Sequence, residues 1–131
     1  MMKLIVADDS RLIRGIIDKA VASIGFKAIQ ADNGKEALSL LNANKKDVSL
    51  VLLDWNMPFL NGIDVLKNMR SDERLKDIPV LMISTESEDN RIKEALNIGA
   101  QGYLTKPFTP EKLIEAIELI LNSSKSQKTT S

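Results

Sequence analysis

Short apolar runs alternate with amphipathic stretches along the whole chain. Lys3 to Ala7 is apolar after its first residue and stops at Asp8-Asp9, the pattern of a buried strand. Leu12, Ile13, Ile16, Ile17, Ala20, Val21 and Ile24 then recur at helical spacing, and Gly25 closes that helix. Phe26 to Ala31 predicts a second strand. Asn33-Gly34 marks a turn, after which Ala37, Leu38 and Leu41 predict a second helix. Val48 to Leu53 has almost no polar face, as expected at the centre of a parallel sheet, and it ends at Asp54.

The same alternation continues to the end. A loop with Pro58 leads into a third helix from Gly62 to about Arg70. Ile78 to Ile83 predicts a fourth strand ending at Ser84, and Ile92, Ala95 and Leu96 a fourth helix stopping near Gly99. Gln101 to Thr105 predicts the last strand, ending at Lys106-Pro107. Thr109 as N-cap and Pro110 at the first helical position open a fifth helix. The folded domain is expected over 1–121. Residues 122–131, rich in Ser, Thr, Lys and Gln, are expected to be a polar, disordered tail.

Five β–α units in strict alternation predict an α/β fold: a doubly wound five-stranded parallel sheet with five helices on its two faces. In such sheets the functional crevice lies outside the carboxyl ends of the strands. The residues at those ends are Asp8 and Asp9, Asp54, Ser84 and Lys106. Three carboxylates, one hydroxyl and one ammonium would therefore meet along one edge.

Composition narrows the chemistry open to that edge. The 131 residues suffice for one domain, and 18 basic residues balance 18 acidic ones. No charge surplus draws the protein to nucleic acid or to an anionic membrane. The apolar run in Met1 to Ser10 is too short for a signal peptide or a membrane span, so a cytoplasmic location is expected by default. Cysteine and histidine are both absent. Disulfides, thiolate nucleophiles, the usual zinc ligands and imidazole acid–base catalysis are thereby excluded.

Three carboxylates cannot all stay ionised close together without a counter-charge. With neither His nor Cys in the chain, Mg²⁺ is the natural occupant and Mn²⁺ an alternative, since hard cations take oxygen ligands. A carboxylate is also a nucleophile toward phosphorus, and phosphoryl transfer asks mainly for positioning and charge neutralisation. The metal would cover one phosphoryl oxygen, the Lys106 ammonium a second and the Ser84 hydroxyl a third. Each feature alone is an ordinary loop, turn or helix-cap signal; their order at the ends of successive β–α units makes the constellation informative.

These residues resemble the response-regulator receiver family. The likeness rests on Asp8-Asp9, on Asp54 followed by Trp55-Asn56-Met57-Pro58 and Asn61-Gly62, on Ser84, and on Lys106-Pro107-Phe108, and it covers about residues 2 to 121. The Asp54–Pro58 run and the Gly99–Thr109 stretch are similar to the single-domain chemotaxis members. The resemblance implies a flavodoxin-like sheet of order 2-1-3-4-5. It implies Asp54 as phosphoacceptor, with Asp9 and Asp54 as direct Mg²⁺ ligands, Asp8 acting through water and Asn56 through its backbone carbonyl. Ser84 would be the switch hydroxyl, Lys106 the phosphoryl contact beside a cis bond to Pro107, and Tyr103 the aromatic that follows the switch inward.

Asn56, Thr85 and Glu86 would tune the lifetime of the phosphoryl group, set between seconds and minutes. The implied donor is a histidine kinase, and the implied output is a protein target such as a flagellar switch protein. That target would bind a monomeric receiver on the surface of the fourth helix, fifth strand and fifth helix, with no nucleic-acid or membrane partner. Such a module signals by binding and is not an enzyme in the usual sense. A phosphorelay intermediate and a receiver cut from a longer regulator stay open. An aspartyl-phosphate phosphohydrolase is disfavoured, because such enzymes place a second Asp where this chain has Asn56, which cannot take a proton. A flavodoxin-like nucleotide or flavin binder is disfavoured because Asp8-Asp9 would repel the phosphate.

Overall fold

A computed structural model describes residues 2–85 and 89–123, and traces the backbone of the last helix through 130. The elements run β1 (Met2–Ala7), α1 (Arg11–Ala22), β2 (Phe26–Ala31), α2 (Gly34–Asn44), β3 (Val48–Asp54), α3 (Gly62–Ser71), β4 (Val80–Ser84), α4 (Asp89–Ile98), β5 (Gly102–Thr105) and α5 (Pro110–Thr130). All strand pairs are parallel, in the order β2-β1-β3-β4-β5. The expected fold class and strand order are both found.

Strand side chains alternate between faces, so one apolar strand serves two cores. Leu4, Val6, Leu50, Leu52, Leu81 and Ile83 pack with Ile17, Val21, Leu113 and Ile117 of α1 and α5. Their neighbours Ile5, Ala7, Val51, Leu53, Val80 and Met82 pack on the other side with Leu41, Leu66, Met69 and Ala95 of α2, α3 and α4. Residues such as Leu50, Leu52 and Leu53 are fully buried, and each contributes about 1.5–3 kcal/mol of burial free energy. The unbroken apolar pattern of Val48 to Leu53 is the consequence of this two-sided burial.

The turns that follow the strands are built for helix starts. Ser10, Asn33, Asn61 and Thr109 each accept a hydrogen bond from a backbone N–H three residues on, at 3.2, 2.8, 2.9 and 3.1 Å. These side chains satisfy donors that a helix N-terminus otherwise leaves unpaired. Thr109 caps as expected, whereas Asn33-Gly34 is a cap and first helical residue rather than a separate turn. At the other end of α1, Gly25 has φ +89°, a conformation that closes a helix without a Cβ clash. Arg70 ties the opposite edge of the sheet together. Its guanidinium donates to the carbonyls of Gly99, Lys76 and Ile78 and to Oε1 of Gln101, all within 3.0 Å.

Several boundaries differ from the sequence reading: β1 starts at Met2 rather than Lys3, and β5 at Gly102 rather than Gln101. Strand β4 starts at Val80 rather than Ile78, since Pro79 has no N–H to donate. Helix α5 runs from Pro110 through Thr130, beyond the 1–121 span expected to form the folded domain. Neither Gly nor Pro interrupts the chain between Asn122 and Thr130, so i→i−4 bonding continues past the last buried residues. Side chains beyond 123 lie outside the described residues. Among the described residues no helix is long and apolar enough to cross a membrane.

Glycine separates the tight places from the open ones. A Cβ on Gly62 would strike the carbonyl oxygen of Asp54, so the start of α3 lies directly against the strand end that carries Asp54. A Cβ on Gly15, exposed in the middle of α1, would meet nothing within 4 Å. Urea denaturation is therefore expected to show Gly62→Ala destabilised by about 1–3 kcal/mol. Gly15→Ala is expected to gain about 0.5–1 kcal/mol from helix propensity alone.

Candidate functional site

Three adjacent strands, β1, β3 and β4, and the turn after β5 bring the predicted residues to one edge. Asp8 follows β1, Asp54 ends β3, Ser84 ends β4, and Lys106 follows β5. Asp54 lies opposite Ile83 in the β3–β4 ladder and Ser84 opposite Thr105 in the β4–β5 ladder, which places these ends side by side. Carboxylate oxygens of Asp8, Asp9 and Asp54 all lie within 4.8 Å of one another, a group able to hold a metal ion. Asp8 and Asp54 are buried and Asp9 is exposed. Asp9 lines an open cleft of about 450 Å³ with Asn56, Met57, Pro58 and Asn61.

Lys106 supplies the local counter-charge. Its Nζ donates to Oδ2 of Asp8 at 2.7 Å and lies 3.4 Å from Oδ1 of Asp54. The other oxygen of Asp8 accepts from the backbone N–H of Ser10 at 2.8 Å, and its carbonyl accepts from Nη1 of Arg14 at 2.7 Å. The backbone beside Lys106 is held as well: its N–H donates to the carbonyl of Ser84 at 2.7 Å, and its bond to Pro107 is cis as expected.

The charges are strongly coupled. Burial and then the nearby Asp8 carboxylate push Asp54 up to about 6, with a smaller push from Asp9; the Lys106 ammonium and its hydrogen bond pull the other way. Burial alone would depress Lys106, but the bond to Asp8 and the carboxylates of Asp54 and Asp8 outweigh it and raise its pKa. Lys106 therefore stays a cation, and Asp54 holds its proton to a higher pH than an ordinary carboxylate. An added cation or a proton relieves the excess negative charge.

Aromatic packing flanks the same edge. Trp55, next to Asp54, is buried, with its indole edge-on to Tyr103 at 6.4 Å between ring centroids. The Arg91 guanidinium of α4 covers the Trp55 ring at 4.7 Å, a cation–π contact. Ser84 is fully buried at the end of β4, and Thr85 is exposed just beyond it. Asn56 is exposed on the rim of the cleft. Glu86, expected to tune the phosphoryl lifetime, lies outside the described residues.

Comparison with known proteins gives this geometry its context. The response regulator receiver domain model matches residues 4–118. The chain belongs to the response-regulator receiver family. The receiver is 42% identical over 124 residues to chemotaxis protein CheY1 of Helicobacter pylori, covering 94% of this chain and 99% of that protein. It is 44% identical over 120 residues to chemotaxis protein CheY-3 of Vibrio cholerae, covering 91% of each. Among solved structures it resembles the CheX–CheY–BeF₃–Mg²⁺ complex from Borrelia burgdorferi, with a TM-score of 0.86, 27% identity, and coverage of 91% of this chain and 88% of that one.

Sequence reasoning on this receiver missed Arg14 and Arg91. Arg14 sits one helical turn after Ser10, and no motif links it to the Asp8 carbonyl. Arg91 is an unremarked cation on an amphipathic helix, and only the packing of α4 against the β3 end sets it over Trp55.

The raised pKa of Asp54 makes stability depend on pH. Because the folded value lies above the unfolded 3.8, protonated Asp54 favours the folded state, and that contribution is lost as pH rises through about 6. Without divalent cations, Asp54→Asn is expected to stabilise the protein by about 1–3 kcal/mol at pH 7.5. The advantage should vanish below about pH 4, which paired urea titrations of wild type and variant would show.

Proposed function

We propose that this protein is a phosphorylation-activated signal receiver of the chemotaxis type, taking a phosphoryl group on Asp54 from a histidine kinase or from acetyl phosphate. The observation that carries this reading is the meeting of Asp8, Asp9 and Asp54 within 4.8 Å beside the Lys106 ammonium, with Asp9 lining an open cleft. No single residue would specify the reaction; the convergence does.

In the forward step an Asp54 carboxylate oxygen forms a bond to phosphorus while the bond from phosphorus to the donor atom breaks. A donor imidazole leaves with the electron pair of that bond. Asp54 must be ionised to attack, and its pKa of about 6 leaves most of it ionised at neutral pH. Lys106, 3.4 Å from Oδ1 of Asp54, would hold a phosphoryl oxygen once Asp54 carries the group. Ser84, at the neighbouring strand end, would donate its hydroxyl to another.

The donor set suits Mg²⁺, because the residues gathered here offer hard carboxylate oxygens. Asp9 and Asp54 would hold it directly, Asp8 would act through water and Asn56 through its carbonyl; bound there, the ion would neutralise charge on the phosphoryl oxygens. Both oxygens of Asp8 already accept donors from Lys106 and Ser10, which supports its indirect role.

The response would be a shift between two populations of one fold. Drawing Ser84 toward the phosphoryl group moves the end of β4, and Tyr103 and Trp55 stand where that movement would be felt. The α4–β5–α5 surface would then change its affinity for a protein target such as a flagellar switch protein. Asn56 on the cleft rim, with Thr85 and Glu86 after β4, would set a phosphoryl lifetime of seconds to minutes. The protein would assist its own phosphorylation and dephosphorylation, with a binding event as output.

Trp55 is the only tryptophan, and it is buried against Tyr103 and Arg91, so its fluorescence should report the site. Beryllium fluoride with Mg²⁺ is expected to give a saturable change that is absent without Mg²⁺ and absent in Asp54→Asn. Intact-mass measurement after acetyl phosphate should add one phosphoryl group to wild type and none to the variant. No added mass on wild type would sink the proposal.

A further inference from the structure

The loop between β3 and α3 carries a residue that neither the fold nor the proposed phosphoryl chemistry uses. Phe59 has φ +67°, and it is the only non-glycine residue with positive φ among those described. The Leu60 N–H donates to the Pro58 carbonyl at 2.7 Å, closing a tight three-residue turn centred on Phe59. The left-handed region favours Gly or Asn and is unfavourable for a bulky aromatic. Burial normally offsets such a conformation. Here the side chain is 85% exposed, more than any other large hydrophobic residue described. Backbone preference and solvation both argue against Phe at this position, so its advantage must lie outside the isolated chain.

Its position indicates where. Pro58 and Asn61, on either side of the Phe59–Leu60 pair, line the cleft that also contains Asp9 and Asn56. Asp54 is only 6% exposed at the base of this edge, so a protein that delivers a phosphoryl group must insert a side chain there and rest its own surface on the rim. In-line transfer requires the donor atom opposite the attacking oxygen, held to within a fraction of an ångström. Delivery from a phosphohistidine also has to bring two protein surfaces together, so it benefits from an apolar anchor beside the cleft, and aromatic side chains are the usual anchors of such contacts.

We propose that Phe59 is the docking anchor for the protein phosphodonor: its ring inserts into an apolar depression on the histidine-bearing domain and seats the phosphohistidine over Asp54. The inference rests on the receiver reading above. Phe59 touches neither phosphorus nor metal, and it acts on the encounter alone.

Two routes of phosphorylation separate docking from chemistry. The histidine kinases of the source organism, each autophosphorylated, are screened for transfer to wild type, and the fastest is taken as donor. Acetyl phosphate with Mg²⁺ serves as the small donor that needs no docking. Phe59→Asn suits the turn, so its denaturation midpoint should equal or exceed that of wild type. Its rate with acetyl phosphate should match wild type, while kcat/KM for the kinase should fall about tenfold or more. Phe59→Leu, which keeps an apolar side chain, should recover most of that loss. Unchanged transfer from the kinase to Phe59→Asn overturns the proposal and leaves the ring to a protein that reads or removes the phosphoryl group. Equal losses with both donors overturn it too, because the residue would then act on the site itself. If wild type takes no phosphoryl group from either donor, the receiver reading fails first and this inference falls with it.

Discussion

One ammonium lies between two buried carboxylates. Lys106 reaches Asp8 at 2.7 Å and Asp54 at 3.4 Å, and Asp9 adds a third negative charge within reach. The arrangement is deliberately unbalanced in charge. Without Lys106 the edge would carry buried carboxylates with no counter-ion, a costly state. With it, two negative charges too many still remain when all three carboxylates are ionised, and Asp54 is held near a pKa of about 6. That surplus leaves room for a divalent cation, while the Lys106 ammonium keeps the proposed nucleophile ionisable at neutral pH.

The rest of the fold holds that cluster at fixed spacing. Parallel strands all end at the same edge, so residues 46 and 52 positions apart in the chain, Asp8 with Asp54 and Asp54 with Lys106, become neighbours without a long loop. The strands are buried on both faces, which makes their ends rigid. The loops then set the details. Ser10 binds Asp8 through its backbone while capping α1, Gly62 lets α3 begin against the Asp54 carbonyl, and Arg14 holds the Asp8 carbonyl. Stability and site geometry thus come from the same contacts, in accord with a reaction that needs positioning more than elaborate acid–base chemistry.

The β3–α3 loop departs from this economy. It departs from ordinary backbone and solvation preferences at Phe59, one residue from the cleft lining, in a chain that otherwise obeys them closely. Local rules fail most informatively where function has overridden them. The aromatic stack of Arg91, Trp55 and Tyr103 is a second feature beyond the phosphoryl chemistry, and it connects α4 and β5 directly to the residue after Asp54. A displacement at the strand ends therefore has a packed route toward the α4–β5–α5 surface.

Much of this was legible in the order of residues. Strict alternation of apolar runs with helical periodicity specifies an α/β domain, because period two and period 3.6 leave different imprints on a sequence. The polar residues that interrupt each apolar run sit at strand ends, so Asp8, Asp9, Asp54, Ser84 and Lys106 could be listed before any coordinates. The helical course of 122–130 was not legible: a polar stretch without Gly or Pro can continue a helix or leave it, and the preceding turns of α5 decided the outcome. Tertiary structure alone decided which oxygens of Asp8 meet Lys106 and Ser10, how far burial lifts Asp54, and that Arg91 covers Trp55. Those quantities depend on distance and on exclusion of water between segments far apart in the chain, and neither is written in local pattern.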